Sequence, residues 1–216
     1  MKNSSRRAFA RLLFAFCLLL TPLSIFFISC GNDATTLPII GERLGVTPSG
    51  DTIYPTIPSF RFINQKGDTV TNADFDGKIY VADFFFTHCP TICPKVTAQM
   101  LRVHDRFKDS TALALLSHSI DPKHDTVGRL AEYAGKLGVF APKWHFITGV
   151  KDSIYAMADD YFSITIENPN VAGGFDHSGR LILVDKKRRV RSFCDGTDAK
   201  DVDRFMQDIQ TLLKER

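Results

Sequence analysis

From residue 57 onward the chain alternates apolar runs of strand length with stretches whose apolar residues recur at helical spacing. Ile79–Phe86 (Ile-Tyr-Val-Ala-Asp-Phe-Phe-Phe) is nearly continuous in β-formers, which predicts a central strand buried on both faces. After the loop Thr87–Ile92, a helix is expected from about Pro94. There Val96, Met100, Val103 and Phe107 recur every three or four positions and share one face. Leu113–Ile120 reads as a second strand. A helix over Asp125–Leu137 follows, entered through the turn Asp121-Pro122. Trp144–Thr148 is a third strand, followed by a helix over Ser153–Tyr161. Leu181–Val184 and Val190–Phe193 flank the polar turn Asp185–Arg189 and predict a hairpin. Val202, Phe205, Met206, Ile209, Leu212 and Leu213 form the apolar stripe of a last helix. The order β-α-β-α-β-α-β-β-α places the body, residues 57–216, in the α/β class as one domain.

The amino-terminal part follows a different pattern. Lys2, Arg6, Arg7 and Arg11 precede the apolar run Leu12–Ile28, which ends at Ser29-Cys30-Gly31. Residues 1–29 are expected to be an export signal, with Cys30 placed as the acylated cysteine of a lipoprotein. The competing reading is an uncleaved membrane anchor, for which 17 apolar residues lie near the lower limit of a span. Either reading puts the body outside the cytoplasm, on the periplasmic side of a bacterial membrane. Residues 30–56, rich in Pro, Gly, Thr and Ser without a period, are expected to be a flexible tether.

Composition narrows the function by exclusion. With 44% hydrophobic and 24% charged residues the chain is ordinarily globular. Its net charge of +3 resides in the signal-like segment, because setting aside those four basic residues leaves 23 basic against 24 acidic ones. No basic field remains for nucleic acid.

The chemistry concentrates in Phe86-Thr87-His88-Cys89-Pro90-Thr91-Ile92-Cys93-Pro94, between a buried strand and a helix. Pro94 suits the first helical turn, which puts Cys93 at the helix entrance, where free N–H groups and the helix dipole favour thiolate. Such a pair can close a disulfide, bind a soft metal, or attack an oxidant. A purely structural disulfide would close a very short loop and stabilise little. Three residues separate the cysteines, against two in thioredoxin-type redox motifs, and a thiolate pair selects soft or borderline ions such as Cu(I) and Zn. Structural zinc wants four ligands and no second Cys pair of this kind is present, whereas copper accepts two thiolates and one imidazole.

Six histidines compete for the third position. His88 adjoins Cys89, His104 lies just off its helix's apolar face, His118 and His145 fall inside strands, and His124 occupies a turn. His177 stands in a Gly-rich loop before the hairpin, and on the residues alone an ordinary turn histidine is an equal reading. Asp83 interrupts its apolar strand, either as a buried carboxylate near the thiolates or as a group at the sheet margin. Cys194 reads as an inert buried thiol, with a resolving thiol as the alternative. Lys186-Lys187-Arg188-Arg189 reads as a solvated hairpin tip.

Taken together, the Cys89–Cys93 stretch, Ser119-Ile120-Asp121-Pro122-Lys123-His124-Asp125-Thr126, Asp176-His177-Ser178 and Gly196-Thr197-Asp198 resemble the Sco/SenC family of copper proteins. The resemblance runs from about residue 57 to the end. It implies a thioredoxin-like fold, a central mixed sheet flanked by helices. It also implies one copper ion, Cu(I) or Cu(II), held by Cys89, Cys93 and His177. Family members help assemble the copper A centre of cytochrome c oxidase, as metallochaperones, thiol reductants or both. The implied partner is the copper A subunit or another copper-requiring client. The alternative function is thiol–disulfide exchange through the redox pair Cys89 and Cys93; a peroxidase reading ranks last. Two positions depart from the family pattern: Thr91 stands where many members carry Asp, and Cys194 where Tyr is common.

Overall fold

A computed structural model describes residues 36–215. The signal segment and Cys30 lie outside the described residues. The central sheet is built from β3 (Arg61–Asn64), β4 (Thr69–Thr71), β5 (Ile79–Phe85), β6 (Leu113–Ser119), β7 (Trp144–Thr148), β10 (Arg180–Val184) and β11 (Val190–Asp195). The remaining strands, β1 (Gly45–Val46) with β2 (Thr52–Ile53), and β8 (Thr165–Glu167) with β9 (Phe175–His177), form two small hairpin-like pairs. The helices are α1 (Cys93–Arg106), α2 (Val127–Leu137), α3 (Lys151–Asp160) and α4 (Ala199–Lys214).

In the sheet the order is β11-β10-β5-β6-β7-β3-β4. β5, β6 and β7 are parallel, and the strands outside them pair antiparallel. Parallel neighbours need crossovers, which α1 and α2 supply. All residues of β5, β6 and β7 are buried, as continuous apolar runs require. Alternate side chains of β5 meet different helices. Phe85 packs on Tyr133 of α2, while Tyr80 and Phe84 pack on Tyr161 just past α3. Helices therefore cover both faces of a mixed sheet, the thioredoxin-like layout.

The expected strands and helices of the body are present, with ends shifted by a residue or two. β3 and β4 have no counterpart in the sequence reading, since β4 is only three residues long and β3 carries the exposed Arg61. The larger correction concerns the expected tether. Within 36–56 the chain docks on the body: Ile40 N–H donates to Val190 O at 2.8 Å and Leu37 N–H to Glu215 Oε1 at 2.7 Å. The cause is Arg191, only 5% exposed. Its guanidinium ion-pairs with Asp185 at 3.2 Å and Glu215 at 2.7 Å and donates to the carbonyls of Leu37 at 2.5 Å and Pro38 at 3.0 Å. A buried cation needs such acceptors, and hydropathy does not reveal who provides them.

Replacing Arg191 with Met leaves the Asp185 and Glu215 carboxylates without this partner and frees the 37–40 segment. Urea denaturation is expected to show a loss of about 3 kcal/mol. An unchanged midpoint would rule out this anchoring role.

Candidate metal centre

The helix α1 begins at Cys93 with Pro94 in its first turn, and Ile92, its capping residue, offers no side-chain acceptor. The sulfur of Cys89 fills that role: the Cys93 N–H points at Cys89 Sγ at 3.5 Å. A helix N-terminus left short of acceptors is satisfied by the anion it stabilises. The Thr91 hydroxyl lies 3.6 Å from the same sulfur.

His177 reaches the cysteines through the sheet. β10 runs antiparallel beside β5 with Ile182 opposite Ala82 and Val184 opposite Tyr80. Followed toward the end of β5, that register carries the chain before β10 to the cysteine loop. His177 Nε2 lies 3.5 Å from Cys93 Sγ. The donor atoms of Cys89, Cys93 and His177 all fall within 4.8 Å of one another. Two features of His177 differ from the sequence expectation. It sits in β9, paired with Thr165 of β8, and it is buried at 9% exposure. Its Nδ1 is buried without a hydrogen-bond partner.

The loop before β9 also packs on the cysteine loop. A Cβ at Gly173 would stand 2.8 Å from the Phe86 ring and 3.0 Å from Pro90, and its φ is +89°. Only glycine permits that approach. On the other side Asp125, fully buried, accepts from the Thr87 N–H at 3.1 Å, the Thr87 hydroxyl at 2.6 Å and the Ser119 hydroxyl at 2.5 Å. Thr87, Asp125 and Gly173 carried no role in the sequence reading. Their function is a meeting of loops, which no local pattern signals.

The electrostatics divide the two thiols. A hydrogen bond from the Cys93 thiol, with help from His177 and backbone N–H groups, pushes the Cys89 pKa well below the ordinary thiol value. Cys93 moves in the opposite direction, raised first by its neighbour Cys89 and then by burial. One thiolate shared over two sulfurs is the outcome. Asp83 is 2% exposed, not at a margin, and burial lifts its pKa to about 7 against a hydrogen bond of 2.5 Å from the Ser117 hydroxyl. Below that pH it adds no second negative charge near the sulfurs. Cys194 is buried and burial pushes its thiol up.

The other histidines stand apart from the sulfurs. His118 is wholly buried, lowered to about 3 by burial, and stacks on Phe84 at 4.7 Å. His145 is buried beside Asn64 at 3.3 Å. His104 leans on Trp144 at 6.0 Å. His88 and His124 face Asp121 rather than the thiols. Cys89, Cys93 and Cys194 are all free. The donors suit a soft ion: two sulfurs and one imidazole on a rigid, largely dry frame.

Fold and site together define a thioredoxin-like protein carrying a dithiol–imidazole centre at the helix entrance. The SCO1/SenC family profile matches residues 50–214, and the chain belongs to that family. It is 28% identical over 189 residues to the SCO1 protein homolog of Bacillus subtilis (strain 168), covering 87% of this chain and 91% of that protein. Among solved structures, a SCO1/SenC family lipoprotein from Bacillus anthracis str. Ames is 27% identical with a TM-score of 0.67, covering 74% of this chain and 95% of the other. Arabidopsis thaliana ScoI, solved with copper bound, is 26% identical with a TM-score of 0.61, over 73% of this chain and 98% of the other.

A thiol pair whose first proton is lost well below the ordinary thiol range is ionised over more of pH 5–8, whereas an ordinary thiol of pKa about 8.5 gains ionisation roughly tenfold per pH unit there. Iodoacetamide is therefore expected to label Cys89 before Cys93, at a rate nearly flat across that window. Cys93→Ala removes the main hydrogen bond and should move the Cys89 profile upward. A parent rate climbing tenfold per unit from pH 5 would contradict the assignment.

Proposed function

We propose that this chain is a copper metallochaperone that loads the copper A centre of cytochrome c oxidase outside the cytoplasm. The observation that carries the reading is the convergence within 4.8 Å of Cys89 and Cys93 with His177, from a segment 84 positions beyond Cys93. Copper is cargo here, one ion per body. Two thiolates and a neutral imidazole suit Cu(I), and Cu(II) is within reach of the same set. Support comes from the relative solved with copper, and from the description of the Sco family as cytochrome c oxidase assembly proteins.

Three donors leave a copper ion open to a client's own thiol or imidazole, so transfer proceeds by ligand exchange. The shared proton of the thiol pair leaves when copper arrives, as metal binding to thiols requires. Nε2 is the ring nitrogen of His177 that faces Cys93 Sγ, at 3.5 Å, and is the one that would hold the ion.

A second reading is favoured by the depressed Cys89 pKa. The Cys89 thiolate would attack a client disulfide, forming a mixed disulfide and releasing one client thiolate. Cys93, losing its proton, would then displace the second, so that the client gains two electrons and the body ends with a Cys89–Cys93 disulfide. His177 distinguishes the two: copper needs its imidazole and dithiol exchange does not.

His177→Gln, chosen because the parent ring is buried, is expected to weaken copper retention by at least ~100-fold, more than loss of a supporting contact costs. Circular dichroism and the Cys89–Cys93 redox couple should change little. Copper held as tightly as in the parent would remove His177 from the ligand set.

Residues 30–35 precede the docked segment and join it to the proposed anchor, a lipid on Cys30. The B. anthracis relative is described as a lipoprotein. Labelling with palmitate in a bacterial host is expected in the parent and absent in Cys30→Ser. Mass spectrometry finding an unmodified Cys30 within an uncleaved chain would favour a helical anchor instead.

A further inference from the structure

A second cluster of ligand-bearing side chains lies on the rim beside the thiols, and neither proposed activity uses it. His88 projects from the cysteine loop, while Asp121 and His124 sit on the turn between β6 and α2. β5 and β6 pair in parallel from Ile79 opposite Leu113 to Phe85 opposite Ser119, so both loops leave the sheet at the same level. Asp125 then ties Thr87 to that turn and fixes the two loops together.

The resulting geometry centres on one carboxylate. The Asp121 side chain is 6% exposed, with His88 at 40% and His124 at 60%. His124 Nδ1 lies 2.6 Å and His88 Nε2 3.5 Å from the same oxygen, Asp121 Oδ2. The two imidazole rings approach edge to face, with centroids 5.3 Å apart and planes at 76°. One donor atom from each residue falls within 4.8 Å of the others. An ion bound at about 2.0–2.2 Å to nitrogen and oxygen separates its donors by roughly 3 Å, so the exposed His88 and His124 rings are the parts that adjust to admit it.

We propose that His88, Asp121 and His124 form a second metal site, for a divalent ion of the Cu(II), Ni(II) or Zn(II) class. Two imidazoles and one carboxylate are the donors those ions prefer, whereas magnesium and calcium call for more oxygens. The remaining coordination positions face solvent and are filled by water. The site differs in hardness from the thiol centre: it holds the divalent ion, and the sulfurs hold the soft one. The Phe86 ring touches both, 5.0 Å from the His88 ring and 5.7 Å from that of His177. A divalent ion is thereby kept at the mouth of the thiol centre. The inference does not depend on what the sulfurs carry.

The test uses the full-length chain in detergent with Cys89→Ser and Cys93→Ser, which removes the thiol centre and leaves the rim. Cu(II) alone is titrated after chelator treatment, read by calorimetry and by electron paramagnetic resonance. One ion with hyperfine coupling to two imidazole nitrogens is expected. Adding His88→Ala or His124→Ala should weaken it by ~30-fold or more and erase the two-nitrogen signature. Both rings are exposed, so the metal-free variants should melt with their parent, and only that parent should gain thermal stability from Cu(II). Equal Cu(II) affinity with and without the two histidines overturns the site, as does the absence of any two-nitrogen signal. Copper binding by the unmodified thiols is measured separately, so failure there and failure here are told apart.

Discussion

Everything at the thiol centre hangs from β5. That strand is buried along its whole length and is paired on both sides, with β6 in parallel and β10 in antiparallel orientation. Burying its aliphatic and aromatic side chains contributes about 1.5–3 kcal/mol each. The same pairing fixes three loops at one end of the sheet: the cysteine loop leaving β5, the Asp121–Asp125 turn leaving β6, and the β9 segment arriving at β10. Asp125 and Gly173 then close the remaining gaps, the first by hydrogen bonds to Thr87 and the second by letting backbone lie on Phe86. Residues 84 positions apart in sequence meet because the frame leaves them little choice.

Charge decides how that meeting place behaves. Two sulfurs close together cannot both be cheaply ionised, so one proton is shared and the helix entrance stabilises the single thiolate. Asp83, lifted to about 7 by burial, stays largely neutral in mildly acidic solution and spares the pair a further repulsion. Arrival of a cation reverses this balance, since the ion replaces the shared proton. The Phe86 ring packs against both His177 of this soft environment and His88 of the nitrogen–oxygen donors around Asp121. Adjacent segments of one rim thus offer two kinds of ion different partners.

The opposite edge of the body is organised by another buried charge. Arg191 draws together the β10–β11 turn through Asp185, the end of α4 through Glu215, and the carbonyls of Leu37 and Pro38. This network makes the segment after residue 36 part of the body.

The chain's own pattern was enough for the α/β class, the buried strands and the dithiol at a helix entrance. Those rest on local periodicity and on the chemistry of neighbouring residues, both carried in short windows of sequence. The motif resemblance singled out His177 as the candidate third donor, which spacing alone left level with any turn histidine. Tertiary structure decided the rest. It put His177 in a buried strand rather than an open loop, turned Asp83 inward, and docked the Pro- and Gly-rich segment against Arg191. It also aimed His88 and His124 at Asp121. Each of these depends on which distant backbone or side chain arrives to satisfy a buried polar group, and pairing across the sheet, not periodicity along the chain, determines that.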